Sequence, residues 1–301
     1  VSLTSFAVEN SLFGKGRPML SHLINLLLYA LICWVLFSLL FYLFPKSNAT
    51  LLFFIALIFA LHPLHTEVVC SLKNRDHLLS ILGVLIAFRL IIKWVRSNTF
   101  YFLILSGLVM GIAVLCKVSA VPWAVLMPFT LWYLQKINVR QALLVFGTLF
   151  LFGSLRWLII EVWVQEDLSR TFEFVENPLV EATSVITWIK TALATYGFYM
   201  GKMLLPFSLV SYYGYNTIET GSWTSLLVIA GMLALLVMAV LIFIFHKKDR
   251  QFSFGLIFMI LALSGYSNLM IPVPGIVAER LAFTAVIGFG IFLVFALEYI
   301  K

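Results

Sequence analysis

Nine apolar runs organise the chain, at residues 21–43, 49–61, 78–95, 100–116, 118–134, 141–164, 223–245, 252–268 and 277–299. A bilayer is crossed by about 20 apolar residues in a helix, and several runs meet that length. The runs share no repeat period and no low-complexity tract separates them. The pattern therefore predicts one all-α, polytopic membrane bundle of nine or ten transmembrane helices rather than an array of repeats. A further stretch, 187–206, is apolar at its centre but carries Lys190 and Lys202. Its Trp188, Tyr196 and Tyr199 suit a membrane–water boundary, so an interfacial or re-entrant helix is expected there. The organisation read from the pattern has four parts. Residues 1–20 end a first outer loop, 21–164 form an N-terminal transmembrane bundle, 165–222 form an outer loop holding the interfacial or re-entrant helix, and 223–301 supply the C-terminal helices.

The polar positions then set an orientation. Lys93 with Arg96, Lys136 with Arg140, and Lys247, Lys248 and Arg250 fall in short loops that share one side if each run spans once and 187–206 does not. By the positive-inside rule that side is cytoplasmic, and Lys46 and Lys301 agree. The opposite side receives residues 1–20, 62–77, Lys117, 165–222 and 269–280, which hold nearly all the unusual polar residues.

Composition supports this picture. The chain is 62% hydrophobic and 11% charged, with a mean hydropathy of +1.06, which excludes a soluble globular protein. The net charge of +7 reads as loop asymmetry, so membrane lipid is the expected partner and nucleic acid is not. Cys33, Cys70 and Cys116 are far apart, form no CxxC pair and read as small buried hydrophobes. The chain opens on Val1 without Met or signal peptide, so it is expected to be a piece of a longer polypeptide.

Charged groups at membrane depth persist where they have partners or a task. His62-Pro63-Leu64-His65-Thr66-Glu67 is the first such group, because Pro63 breaks the helix and allows His62, His65 and Glu67 to converge. Helix capping, metal binding, anion binding and proton transfer all remain open for it, although no HEXXH order is present and no metal site is assigned. Lys73-Asn74-Arg75-Asp76-His77 opens the third run. There Asp76 suits a helix N-terminus, while the planar fork of Arg75 suits either a structural partner or a phosphate. Lys117 stands alone between two apolar runs, in reach of the surface by snorkelling. Glu176-Asn177-Pro178 and the stretch Ser211-Tyr212-Tyr213-Gly214-Tyr215-Asn216 could hydrogen-bond and stack on a sugar, or form an aromatic belt. Glu279 and Arg280 open the last run, where they pair with each other, with other outer charges, or with a phosphate.

The joint order of these groups is more specific than any one of them. His22-Leu23-x-Asn25-Leu26-Leu27, His65-Thr66-Glu67, Arg75-Asp76-x-Leu-Leu, Lys117, Glu176-Asn177-Pro178-Leu179, Leu204-Leu205-Pro206-x-Ser208-Leu209, Tyr213-x-Tyr215-Asn216-Thr217-Ile218, Asn268 and Val277-Ala278-Glu279-Arg280-Leu281 together resemble the multi-pass region of the TMTC proteins. These are transmembrane and tetratricopeptide-repeat O-mannosyltransferases, with bacterial relatives. The resemblance implies a GT-C membrane fold in the bacterial inner membrane or the endoplasmic reticulum, with its site on the periplasmic or lumenal face. Such an enzyme moves a sugar, here mannose, from a polyprenyl-phosphate carrier to a protein acceptor. The resemblance implies Glu67 and Asp76 as catalytic carboxylates. It further implies His62, His65, Arg75, Lys117, Glu176, Asn177, Tyr213, Tyr215, Asn216, Glu279 and Arg280 as substrate-binding groups, with no certain cofactor beyond the lipid-linked donor and the role of a divalent metal left open. The sequence also departs from the family. A first span, most of its acidic loop and the downstream repeats are missing, Lys117-Val118 replaces a Lys-Glu pair, and Tyr212-Tyr213 stands where Asp-Tyr is common. These departures support a second reading, a non-catalytic membrane subunit of a larger assembly. A lipid-linked sugar transporter is a third reading, opposed by the concentration of polar residues at one face.

Overall fold

The computed structural model describes residues 2–14, 16–159, 173–210, 212–213, 217–218, 222–269 and 272–300. Its regular elements are helical, and no strand occurs among the described residues. The helices are α1 (Ser2–Phe13), α2 (Pro18–Leu43), α3 (Ala49–Leu61), α4 (Thr66–Cys70), α5 (Arg75–Ser97), α6 (Phe100–Cys116), α7 (Trp123–Tyr133), α8 (Val139–Ile159), α9 (Val185–Leu204), α10 (Leu226–Phe245), α11 (Arg250–Ser264) and α12 (Ala285–Ile300).

Pro18–Leu43, Leu72–Ser97, Val139–Ile159 and Leu226–Phe245 are each long and apolar enough to cross a membrane. Ala49–Leu61 with Pro63–Cys70 makes a fifth such segment, bent by 50°. Phe100–Cys116, Val118–Tyr133, Arg250–Ser264 and Ala285–Ile300 are shorter apolar helices. Each of the nine apolar runs of the sequence overlaps a described helix, with 160–164 of the sixth run outside the described residues. The most apolar windows of α8 and α10 are only 17% buried, as expected for helices solvated by lipid.

The chain divides into two compact units. The first comprises Val1–Ala56 and Val68–Leu168. Its centre is the α5–α6 hairpin, where Gly83 brings the α5 backbone against Ala113 of α6. Helix α2 lies against α5, and α8 lies against α6 and α7. The segment read as the end of a loop contains α1, which meets α5. No apolar stripe announced that helix, because its hydrophobic residues point in all directions.

The second unit comprises Leu57–Glu67 and Ser169–Lys301. Helices α11 and α12 form an antiparallel hairpin in which Gly255 lies against Phe292 and Gly288 against Met259. Helices α9 and α10 also touch backbone to backbone, Gly197 against Leu227 and Gly231 against Leu193. The ammonium of Lys190, near the start of α9, lies 5.2 Å from the ring of Trp223, just ahead of α10.

Candidate functional site

Three ion pairs collect most of the charged residues singled out in the sequence, and each lies within one unit.

In the first unit, Arg75 is buried, at 1% exposure, and satisfied by protein groups. Its Nη1 donates to Glu9 Oε2 at 2.6 Å, its Nε to Asn25 Oδ1 at 3.0 Å and its Nη2 to the Ser21 carbonyl at 3.1 Å. The Phe6 ring lies under the guanidinium, 3.8 Å from its carbon. Glu9 also accepts a hydrogen bond from the Ser21 hydroxyl. Burial alone would raise the Glu9 carboxyl, but Ser21 and Arg75 outweigh it and hold the group below the usual carboxylate range. The fork of Arg75 thus fastens α1 and α2 to the start of α5, leaving it poorly placed for a phosphate. Glu9, Ser21 and Asn25 were not singled out as site residues by the sequence reading. Glu9 is the sole acidic residue before Glu67, which is the signal that could have found it.

Lys117 and Asp76 pair at 3.0 Å, both partly exposed. Asp76 Oδ1 additionally accepts the His77 amide at 2.6 Å in the first turn of α5, where a carboxylate is favoured by the helix dipole. Lys117 also reaches Asn74 Oδ1 at 3.5 Å, and its carbonyl accepts the Ser80 hydroxyl.

In the second unit, Pro63 ends α3, and His62 caps the 3₁₀ turn that follows. His62 Nδ1 accepts the Leu64 amide at 3.3 Å, so Nε2 carries the proton and donates it to the Met203 carbonyl at 3.1 Å. The His65 ring packs between Phe59 and Phe283, with centroids at 4.4 and 4.2 Å. Glu67 turns instead to Arg280. It accepts the guanidinium at 2.5 Å on Oε1 and the Arg280 amide at 3.0 Å on Oε2. His62, His65 and Glu67 therefore serve different partners rather than converging, and no three His, Cys, Asp or Glu side chains form a metal-ligand group among the described residues.

Beside this pair, Glu279 Oε1 accepts the Val210 amide at 2.7 Å and the Tyr213 hydroxyl at 2.9 Å. Burial and the adjoining Glu279 carboxylate push the Tyr213 phenol up. Tyr199, read from the sequence only as an aromatic of the membrane–water boundary, is buried and braces the same loop. Its hydroxyl donates to the Ala278 carbonyl at 3.2 Å and accepts the Ala278 amide at 3.1 Å. Lys202 donates to the carbonyls of Phe207 at 2.6 Å and Ser208 at 3.0 Å, close under Tyr213. Of the cluster Glu67, Glu279 and Arg280, the Arg280 side chain is the most accessible, at 29%.

Glu176 and Asn177 sit in a separate stitch. Asn177 is fully buried and donates to Asn268 Oδ1 at 3.0 Å and to the Val273 carbonyl at 2.9 Å, while its own Oδ1 accepts the Leu179 amide. The Glu176 carbonyl accepts the Gly275 amide at 3.0 Å. Asn268 takes φ +61°, a left-handed conformation that Asn tolerates better than most residues. Tyr215 and Asn216 lie outside the described residues.

A helical membrane protein with carboxylates paired to cations in and between its helices is the class that fold and site define. Its sequence is similar to those of protein O-mannosyl-transferases. Protein O-mannosyl-transferase TMTC4 of Homo sapiens is 25% identical over 346 aligned positions, covering 98% of this chain and 46% of the relative. Protein O-mannosyl-transferase Tmtc1 of Drosophila melanogaster is 31% identical over 112 positions, covering 37% of this chain and 13% of the relative. The chain thus spans less than half the length of these curated relatives, and the similarities support a distant relationship to the TMTC group. No family model matches the chain, and no solved structure matches it.

Proposed function

We propose that this chain is the membrane-embedded part of a GT-C-type glycosyltransferase. It transfers a sugar, mannose by analogy with the names of its relatives, from a polyprenyl-phosphate carrier to a protein hydroxyl at the periplasmic or lumenal face. The observation that carries the reading is the Glu67–Arg280–Glu279–Tyr213 cluster, set within a chain of which 98% aligns with a named O-mannosyl-transferase. Arg280 offers a cation fixed in place by Glu67 yet still accessible, which suits the phosphate of a lipid-linked donor. Glu279 and Tyr213 offer acceptor and donor groups suited to sugar hydroxyls. Glu67 has the task of positioning Arg280 in this reading. Lys117 and Asp76 form their own pair in the first unit.

A second reading, a non-catalytic membrane subunit, is favoured by the pairing itself: Arg75, Lys117 and Arg280 each have a carboxylate partner. Transfer of labelled mannose from a polyprenyl-phosphate donor, measured with the full-length protein in membranes, separates the two. Losing a charge-assisted contact of about 1.5–3 kcal/mol corresponds to roughly 10- to 150-fold. Arg280→Ala is therefore expected to raise the donor KM by that factor in a folded sample. Unchanged donor binding in that variant would favour the subunit reading.

A further inference from the structure

A cavity of about 260 Å³ lies between α6, α7 and α8 in the first unit, remote in sequence from the Arg280 cluster. It exists because small residues, Ala124, Gly153 and Ser154, stand where larger ones would close the gap between Met110, Leu149 and Trp157. Helix α8, which forms one wall, buries only 17% of its most apolar stretch, so the cavity borders a helix otherwise solvated by lipid. Trp157 at its rim is 45% exposed, and tryptophan is enriched where hydrocarbon meets head groups. Next to Trp157, Arg156 reaches across to α6 and donates through Nη1 to the carbonyls of Val114 at 3.1 Å and Leu115 at 3.4 Å. Val114 also lines the cavity. An apolar slot is thus joined to a half-buried cation at one end.

We propose that this slot is a binding site for an anionic glycerophospholipid of the surrounding bilayer, one acyl chain lying between α6, α7 and α8 and the head-group phosphate meeting Arg156. The chemistry is complementary at both ends. Hydrocarbon fills a surface that water cannot solvate, and a phosphodiester provides the acceptor oxygens a guanidinium prefers. The proposal is independent of sugar transfer.

The test uses the purified full chain, equilibrated with mixed vesicles of phosphatidylcholine and phosphatidylglycerol in equal parts and extracted in mild detergent. Lipid retained by the protein is then counted by native mass spectrometry. Phosphatidylglycerol should be retained in preference to phosphatidylcholine. Arg156→Gln should weaken that preference by about tenfold, the order expected for one charge-assisted contact. Gly153→Leu should abolish retention of either lipid by filling the slot. A Cβ at Gly153 would meet only Val114 Cγ2, at an ordinary 3.7 Å. Equal retention of the two lipids, or an undiminished preference in Arg156→Gln, overturns the proposal. Arg156→Gln leaves the slot open and decides the matter if Gly153→Leu does not fold. Displacement of phosphatidylglycerol by an equimolar polyprenyl phosphate would also overturn it, by assigning the slot to the carrier.

Discussion

The Glu67 carboxylate grips Arg280 at two points, taking the guanidinium on one oxygen at 2.5 Å and the backbone amide on the other at 3.0 Å. Glu67 therefore fixes where the Arg280 side chain starts as well as where it ends. Removing Glu67 leaves a half-buried guanidinium and an amide in search of acceptors. Glu67→Ala and Arg280→Ala are each expected to cost about 1.5–3 kcal/mol of unfolding free energy, the usual range for hydrogen bonds to charged groups. The double variant should cost little more than either single one, because the two lose the same interaction. Thermal or denaturant unfolding of the four proteins in one detergent measures the cycle. Additive losses would show that the two residues act separately.

The fold was largely legible from the order of apolar runs, since lipid-solvated helices need continuous hydrophobicity and little else. The bend at Pro63 was legible for the same reason: proline removes a helix hydrogen bond wherever it stands. Partners were not legible. Glu9 and Arg75 are 66 residues apart, and only the packing of α1 on α5 brings them together. Asp76 satisfied the sequence rule for a helix start and still proved to be half of an ion pair with Lys117. The cluster around Arg280 was anticipated in its members but not in its wiring, which depends on where the loop after α9 returns.

The Glu9–Arg75 pair predicts an acid limb of stability. The folded state holds the Glu9 carboxyl below its ordinary value of 4.5. The unfolded chain therefore binds the proton first as pH falls. The stabilising contribution is present above pH 4.5 and is lost as pH drops through the lower, folded value. Glu9→Gln should be less stable than the parent at neutral pH and should lack this part of the acid loss. Melting temperatures of both proteins from neutral pH down to about 3, a range that spans the ordinary carboxylate pKa values, test it. Parallel curves would exclude Glu9 as the group responsible.

Two glycines of one helix should respond in opposite directions to the same change. A Cβ on Gly197 would collide with the Leu227 carbonyl oxygen, which belongs to the backbone of α10 and cannot swing aside. Gly197→Ala is expected to cost about 1–3 kcal/mol or more by overpacking. A Cβ on Gly201, one turn further along α9, would meet nothing within 4 Å. Gly201→Ala should instead add about 0.5–1 kcal/mol through helix propensity. Both are read by thermal unfolding, and similar effects at the two positions would rule out close α9–α10 contact.

The chain on either side of α9 is tied to one and the same connection. The loop before α9 is tied by Asn177 to Asn268 and Val273, in the connection that follows α11. That connection lies at the end of the bundle where α10 begins, because α10 and α11 are joined at the opposite end by the short turn through Lys247 and Lys248. The chain after α9 reaches the same connection, where Glu279 accepts the Val210 amide and the Tyr213 hydroxyl. A segment whose two flanks both reach that connection does not count as a span. The segment 187–206 is accordingly expected to be re-entrant, leaving the Lys247–Lys248–Arg250 turn on the side of Lys93 and Lys136, as the positive-inside rule requires. Single cysteines at 184 and 224, in a cysteine-free background, should label with an impermeant maleimide from one side of sealed vesicles. Cysteines at 97 and 249 should label from the other. Labelling of 184 and 224 from opposite sides would make α9 a full span and reverse the orientation of every helix after it.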